Sequence, residues 1–136
     1  MKHFIDINNF KKTEIDEIIA LAKKIKKNPK KYSSSCKNKT LGLIFEKQSL
    51  RTRLSFNVGM QKLGGFVLEL QSKDIGFDNK REKAEDVLNV LSQYIDCLMI
   101  RNNNHKQIVN LSKENTLPII NGLTEYSLSL IHISEP

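Results

Sequence analysis

The segment from Phe45 to Arg53 concentrates the residue types best suited to binding an anion. Ser49 and Thr52 carry hydroxyl groups that can donate hydrogen bonds, and the guanidinium of Arg51 can pair with a phosphate through two parallel bonds. An apolar run precedes this segment and a helical pattern follows it. Unpaired backbone N–H groups and the positive end of the helix dipole favour an anion at such a helix start. The pattern predicts an anion site, although it lacks the glycines of a P-loop or a dinucleotide-binding loop.

Arg101 is a second candidate for the same site, because it directly follows the apolar run 96–100. In an open α/β sheet, ligands bind beyond the carboxyl ends of the strands, so Arg101 could hold the anion from a neighbouring strand. The alternative interpretation is structural. Ser49 would then only cap a helix, and the arginines would be solvated or paired in salt bridges.

Alternating helical and strand patterns are predicted to position these residues. Apolar runs predict strands at 40–45, 66–70, 96–100 and 117–120. Helical spacing predicts a first helix with Thr13 as its N-cap, a second ended by Gly64-Gly65, a third over 82–94 and a short fourth around 108–111. The predicted inner faces are Ile15, Ile18, Ile19, Ala22 and Ile25 in the first helix; Phe56, Met60 and Leu63, with Leu54 and Val58 beside them, in the second; and Val87, Leu88, Leu91 and Ile95 in the third. This order predicts an α/β fold with a parallel four-stranded sheet flanked by helices in Rossmann-like layers.

The composition is that of an ordinary one-domain globular chain. Its 136 residues are 39% hydrophobic and 27% charged, which excludes wholesale disorder. No segment approaches the roughly 20 apolar residues that a membrane-spanning helix needs. The first residues lack the apolar core of a secretory signal, so we expect a cytoplasmic protein without a membrane partner.

A net charge of +7 leaves a second class of function open. Ten lysines lie between Lys11 and Lys39 against only three acidic residues, so this region could be a non-catalytic module for nucleic acid or anionic lipid. It holds few aromatic residues and no arginine, and lysine enrichment also follows from AT-rich coding. A first helix with a solvated lysine face is the simpler interpretation, and we expect no nucleic-acid partner.

The two cysteines, Cys36 and Cys97, lie far apart in the sequence and do not form a CxxC pair or a Cys/His cluster. Structural zinc sites need such clusters, so we expect no metal. Cys97 lies within an apolar run and is predicted to be a buried free thiol in a reducing compartment.

Three segments together resemble a known enzyme family. Phe45–Arg53 reads FEKQSLRTR and resembles the FEKxSTRTR signature of the carbamoyltransferases. Asp96–Arg101 is similar to the strand that carries their second phosphate contact, and Pro118–Thr124 is similar to their PxxNGLT segment. Lys47 and the NGLT ending favour ornithine over aspartate carbamoyltransferases, although the aspartate branch stays open. The resemblance covers essentially Lys2–Ser127.

The resemblance implies the N-terminal, carbamoyl-phosphate-binding domain of a homotrimeric enzyme of arginine metabolism. Such an enzyme transfers the carbamoyl group of carbamoyl phosphate to L-ornithine, giving L-citrulline and phosphate, without a metal or organic cofactor. It implies that Ser49, Leu50, Arg51 and Thr52 hold the phosphate and that Arg101 clamps phosphate or carbonyl from the next strand. Arg51 and Arg101 would be the catalytic residues, because fixed positive donors stabilise the charge that develops during transfer.

The chain departs from the family pattern at several positions. Leu50 stands where threonine is commoner, so this position can offer only its backbone N–H. No residue of the loop 71–81 is assigned the role that a polar residue of this loop has in the family. Leu128 and Ile131 replace the histidine and glutamine of the HPxQ segment, and residues 128–136 resemble no part of the family. We expect this tail to be foreign to the domain, the ornithine-binding domain to be absent, and the fragment alone to have negligible turnover.

Overall fold

The sheet is formed by four parallel strands. The computed structural model describes residues 2–46, 49–71, 84–101 and 105–122. Within these ranges the strands are β1 (Thr40–Phe45), β2 (Phe66–Gln71), β3 (Cys97–Arg101) and β4 (Ile119–Asn121), in the order β2-β1-β3-β4. Every pair is parallel, which confirms the predicted α/β class.

Helices connect the strands as the periodicity predicts. They are α1 (Lys12–Lys27), α2 (Leu50–Lys62), α3 (Ala84–Ser92) and α4 (His105–Lys113). Two short 3-10 helices, Ile7–Asn9 and Pro29–Tyr32, lie on either side of α1. The fourth helix extends further in both directions than the predicted 108–111, because polar residues at its ends carry no periodic signal.

Side chains alternate between the two faces of the central strands, and this alternation divides the core. Ile44, Leu98 and Ile100 belong to a cluster that includes Leu88 of α3 and Ile108 of α4. The other face carries a second cluster, in which α2 packs on the sheet; its members are Leu41, Leu43, Met99, Phe45, Phe56, Met60, Val67, Cys97 and Ile120. The predicted inner faces are therefore confirmed at Phe56 and Met60 of α2 and at Val87 and Leu88 of α3, and Ile95, just beyond α3, is buried as well.

The C-terminal end of α2 depends on Gly64. This residue has a φ of +86°, a left-handed conformation that side chains disfavour. Its N–H donates to the carbonyl of Gln61 at 2.9 Å, and the N–H of Gly65 donates to Met60 at 3.0 Å. The helix therefore ends at the predicted glycine pair, and the chain turns directly into β2.

Helix α1 differs from the prediction in its start and in its packing. Its N-cap is Lys11 rather than Thr13, because the carboxylate of Glu14 accepts the backbone N–H of Lys11 at 3.0 Å and fixes the start two residues earlier. The ammonium of Lys2 also pairs with Glu14, and together these hydrogen bonds lower the pKa of that carboxyl. Among the described residues α1 packs loosely, with Ile18 and Ile19 43% and 48% exposed. The predicted inner face is largely uncovered, since the described part of the chain offers it too little surface.

The amino-terminal segment forms an addition to the sheet that the sequence patterns do not predict. Phe4 makes a parallel bridge with Ile120, and the two segments exchange backbone hydrogen bonds of 2.7 and 2.8 Å. The imidazole of His3 accepts the N–H of Ile119 at 3.1 Å and contacts the side chain of Asn115 at 2.9 Å. The segment therefore covers the open edge of β4.

Cys97 is half-buried rather than buried, which corrects the prediction for this residue. It lines a cavity of about 510 Å³ between α1 and the amino ends of β3 and β4, together with Phe10 and Ile18. Partial burial raises the pKa of its thiol. Cys36 and Cys97 are both free thiols. Among the described helices, none has the length and apolar character needed to cross a membrane.

Candidate functional site

Strand alternation determines where the side chain of Arg101 lies. Arg101 is the last residue of β3, two positions after Met99, and therefore shares the sheet face on which α2 packs. It lies in register with Phe45, the last residue of β1, and its carbonyl accepts the N–H of Glu46 at 2.9 Å. The carboxyl ends of β1 and β3 and the first turn of α2 consequently meet at one place.

Hydrogen bonds join Arg101 to two hydroxyl groups of the predicted anion segment. Its Nη1 donates to Oγ of Ser49 at 2.8 Å and to Oγ1 of Thr52 at 2.6 Å. The hydroxyl of Ser49 in turn donates to Oγ1 of Thr52 at 3.2 Å. All three side chains are half-buried, so a cationic group and two hydroxyls are held together at the edge of the sheet. We call these three residues the cationic cluster.

Ser49 lies at the start of α2, but its side chain does not cap the helix. It occupies the N-cap position of α2 with extended backbone angles, φ −140° and ψ 109°, and its carbonyl accepts the N–H of Arg53 at 3.1 Å. Within the described residues its hydroxyl makes no capping bond to the helix and instead joins Thr52 and Arg101. Among the described residues, the Ser49 side chain therefore leaves the first N–H groups of α2 uncapped, which is the arrangement that an anion at this helix start would need.

The other predicted residues of the segment lie on the first turn of α2 with exposed side chains. Leu50 is 63% exposed, and Arg51 is exposed while its carbonyl accepts the hydroxyl of Ser55 at 2.8 Å. The structure thus brings Ser49, Thr52 and Arg101 into direct contact and leaves Leu50 and Arg51 at the rim. Arg51 adds positive charge beside the cluster, and the dipole of α2 acts in the same direction.

Several predicted positions lie outside the described residues. These are Lys47, the segment 72–81 of the predicted loop, Leu128, Ile131 and the tail 128–136.

Two residues at the site edge were not predicted as functional. The side-chain amide of Asn121 donates to the carbonyl of Ile5 at 2.9 Å and ties β4 to the amino-terminal segment. Gly122, the next residue, is buried, and its N–H donates to the carbonyl of Ile100 at 2.7 Å. The Asn-Gly pair belongs to the Pro118–Thr124 segment that resembles PxxNGLT, and neither residue was among the predicted site residues. Its position beyond a strand end is nevertheless where site residues of this fold occur.

Comparison with known proteins identifies the family. Residues 2–127 match the family described as "Aspartate/ornithine carbamoyltransferase, carbamoyl-P binding domain". The chain belongs to this family. The predicted resemblance is thereby confirmed over almost the whole chain.

Individual carbamoyltransferases support the same conclusion. The chain is 44% identical over 127 residues to "Ornithine carbamoyltransferase" of Campylobacter hominis, a match covering 92% of this chain and 41% of that protein. It superposes with a TM-score of 0.83 on the ornithine carbamoyltransferase of Pyrococcus furiosus, at 37% identity, covering 90% of this chain and 40% of that one. The anabolic ornithine carbamoyltransferase of Campylobacter jejuni gives a TM-score of 0.81 at 37% identity, with 92% and 40% covered.

The matches also define how much of such an enzyme is present. The chain spans about two-fifths of the length of these relatives, and the matched part is the one described as the carbamoyl-P binding domain. All three relatives are ornithine enzymes, which favours the ornithine branch over the aspartate branch and over a nucleic-acid module.

Proposed function

We propose that this chain binds carbamoyl phosphate at the sheet edge through Ser49, Leu50, Arg51, Thr52 and Arg101. The observation that carries the proposal is the cationic cluster, in which Arg101 donates to Ser49 and Thr52 at 2.8 and 2.6 Å beside the start of α2. A guanidinium, two hydroxyls and a helix N-terminus together match the oxygens of a phosphate group.

Each residue has a separate role in this proposal. The backbone N–H groups of the first turn of α2 hold the phosphate oxygens, and Leu50 contributes only such a group. Ser49 and Thr52 donate through their hydroxyls once an anion competes for them. Arg101 and Arg51 neutralise the negative charge of the bound phosphate from two sides, Arg101 from the end of β3 and Arg51 from α2.

We further propose that the longer protein transfers the carbamoyl group to L-ornithine. The amine nitrogen forms a bond to the carbamoyl carbon, the bond from that carbon to the phosphate oxygen breaks, and its electron pair leaves with the phosphate. The amine loses a proton, and the products are L-citrulline and phosphate. Arg101 and Arg51 favour this step by stabilising negative charge on the carbonyl oxygen and on the departing phosphate.

The remaining assignments extend this proposal to the longer protein. Ornithine would bind through the part of such enzymes that this chain does not match, so residues 1–136 alone should bind carbamoyl phosphate without measurable turnover. We also propose that the full-length protein is a cytoplasmic homotrimer of arginine metabolism. No step of the proposed reaction requires a metal or an organic cofactor.

Isothermal titration calorimetry with carbamoyl phosphate tests the proposal. The wild-type chain should bind carbamoyl phosphate at a single site. Arg51→Ala should weaken this binding by about tenfold or more, which is the loss of affinity expected when one charge-assisted hydrogen bond is removed. Lys62→Ala removes an exposed positive charge from the last turn of the same helix and is the matched control. An absence of binding by the wild type would refute the function, and unchanged affinity of Arg51→Ala would refute the role of Arg51.

A further inference from the structure

Gly122 lies directly against the side chain that completes the cationic cluster. It follows β4, and its N–H donates to the carbonyl of Ile100, the residue before Arg101. A Cβ atom at this position would lie 3.3 Å from Cβ of Arg101 and 3.3 Å from the carbonyl oxygen of Ile100, and it would overlap the sulfur of Met99. The lack of a side chain at position 122 therefore allows β4 to approach the stem of Arg101.

The surroundings leave little freedom to accommodate a methyl group at this position. On one side, β4 is bound to the amino-terminal segment, because the backbone N–H and side-chain amide of Asn121 donate to Phe4 and Ile5 at 2.7 and 2.9 Å. On the other side, the carbonyl of Arg101 is bound to Glu46 at 2.9 Å. Because hydrogen bonds hold both strands, we expect the strain to be relieved by movement of the flexible Met99 side chain and by a shift of a few tenths of an ångström at Arg101, backbone and Cβ together.

A displaced Arg101 stem would affect the cluster directly. Its Nη1 reaches Ser49 and Thr52 within 2.8 Å and 2.6 Å, and a shift of a few tenths of an ångström at Cβ is transmitted along the side chain. Charge-assisted hydrogen bonds depend steeply on such geometry.

We propose that Gly122 is a positioning residue of the anion site: by leaving room for the stem of Arg101, it sets the guanidinium against Ser49 and Thr52. The inference rests on the proposed function, since it concerns the affinity of the same site. It predicts that position 122 controls anion affinity without touching the anion.

The test compares Gly122→Ala with a glycine variant that strains the core elsewhere. Gly42→Ala places a Cβ 2.6 Å from Ile95 Cδ1 and 3.2 Å from Leu98 Cδ1, on the sheet face opposite the cluster. Inorganic phosphate, which does not decompose during a titration, is the probe, and the readout is its dissociation constant from NMR titration. Thermal unfolding measures the stability of both variants independently.

Gly122→Ala should weaken phosphate binding by about tenfold, as for one lost charge-assisted hydrogen bond. Gly42→Ala should lower the melting temperature and leave phosphate affinity unchanged. In an Arg101→Ala background, Gly122→Ala should have no further effect on affinity, because the residue through which it acts is gone. If Gly122→Ala does not fold, the double variant Met99→Ala/Gly122→Ala provides space for the methyl group and is compared with Met99→Ala alone.

The outcomes separate the two proposals. Absence of phosphate binding by the wild type refutes the proposed function. Normal binding by the wild type together with unchanged affinity in Gly122→Ala refutes the inference alone. An equal loss of affinity in the Arg101→Ala background also refutes it, since position 122 would then act through another group.

Discussion

Replacing Arg101 by alanine or by lysine separates the charge of its side chain from its forked shape. Arginine can donate to Ser49 and Thr52 while offering further N–H groups to an anion, whereas lysine keeps the charge but loses the planar fork. Both variants leave the backbone of β3 unchanged, and the side chain is half-buried. The effect on folding should therefore be small, below about 1 kcal/mol.

The expected loss of anion-binding free energy follows from the geometry of the cationic cluster. Two unit charges about 4 Å apart interact by about 4 kcal/mol at an effective dielectric constant of about 20, and solvent at a half-buried site reduces this value. We expect Arg101→Ala to lose about 2–3 kcal/mol of anion binding, which is a factor of about 30 to 150. Arg101→Lys should lose about 1.5 kcal/mol, or about tenfold, because the charge remains.

Phosphate titrations at constant ionic strength provide the assay. Lys106→Ala is the control, because Lys106 is an exposed cation on α4, the helix that follows β3, and it lies outside the cluster. Wild-type affinity in Arg101→Ala would refute the placement of the site. Equal affinities of Arg101→Lys and the wild type would show that charge alone matters and that the hydrogen-bond geometry does not.

Three further predictions concern stability. Gly59→Ala should raise the free energy of unfolding by about 0.5–1 kcal/mol in urea titrations, because an added Cβ meets no atom of the described residues within 4 Å and alanine favours a helix; a destabilised variant would contradict this. The hydrogen bond from Lys2 contributes most to lowering the pKa of Glu14, so the Glu14 carboxylate should stabilise the fold above pH 4.5 and lose this effect as the pH falls further. Glu14→Gln should remove this pH dependence of the free energy of unfolding, and Glu17→Gln should not. Burial raises the pKa of Cys97, so the protonated thiol should contribute its full stability to the fold below pH 9.0, and this contribution should decline as the pH rises through the higher pKa of the folded state. Cys97→Ala should abolish the decline in denaturation experiments at alkaline pH.

Much of the fold could be predicted because local patterns and tertiary packing agree in this chain. The run at 40–45 is apolar on both faces, and it forms β1, the strand that lies between β2 and β3. The meeting of Arg101 with the start of α2 could be predicted from topology, since parallel strands end at the same edge. The hydrogen bonds to Ser49 and Thr52 could not, because they depend on which sheet face each strand end presents.

Other features depend on individual side-chain and backbone contacts, which periodicity does not reveal. The start of α1 is set by Glu14 reaching back to Lys11, a competition that favoured Glu14 over the hydroxyl of Thr13. The bridge of Phe4 to Ile120 leaves no alternating pattern in a segment so short. The close approach of Gly122 to Arg101 depends on the register of β4.

The pairing of the amino-terminal segment with β4 has a consequence for the order of synthesis. The amide of Asn121 and the carbonyl of Ile5 that it bonds are 116 residues apart, so Ile5 leaves the ribosome well before Asn121, the last residue of β4. The amino-terminal segment must therefore stay unpaired until β4 has been made. Closing so long a loop is slow and entropically costly, which makes this contact a late event in folding. A bulky tag fused to the amino terminus would slow the pairing of this segment with β4, whereas a tag placed after the sheet would not.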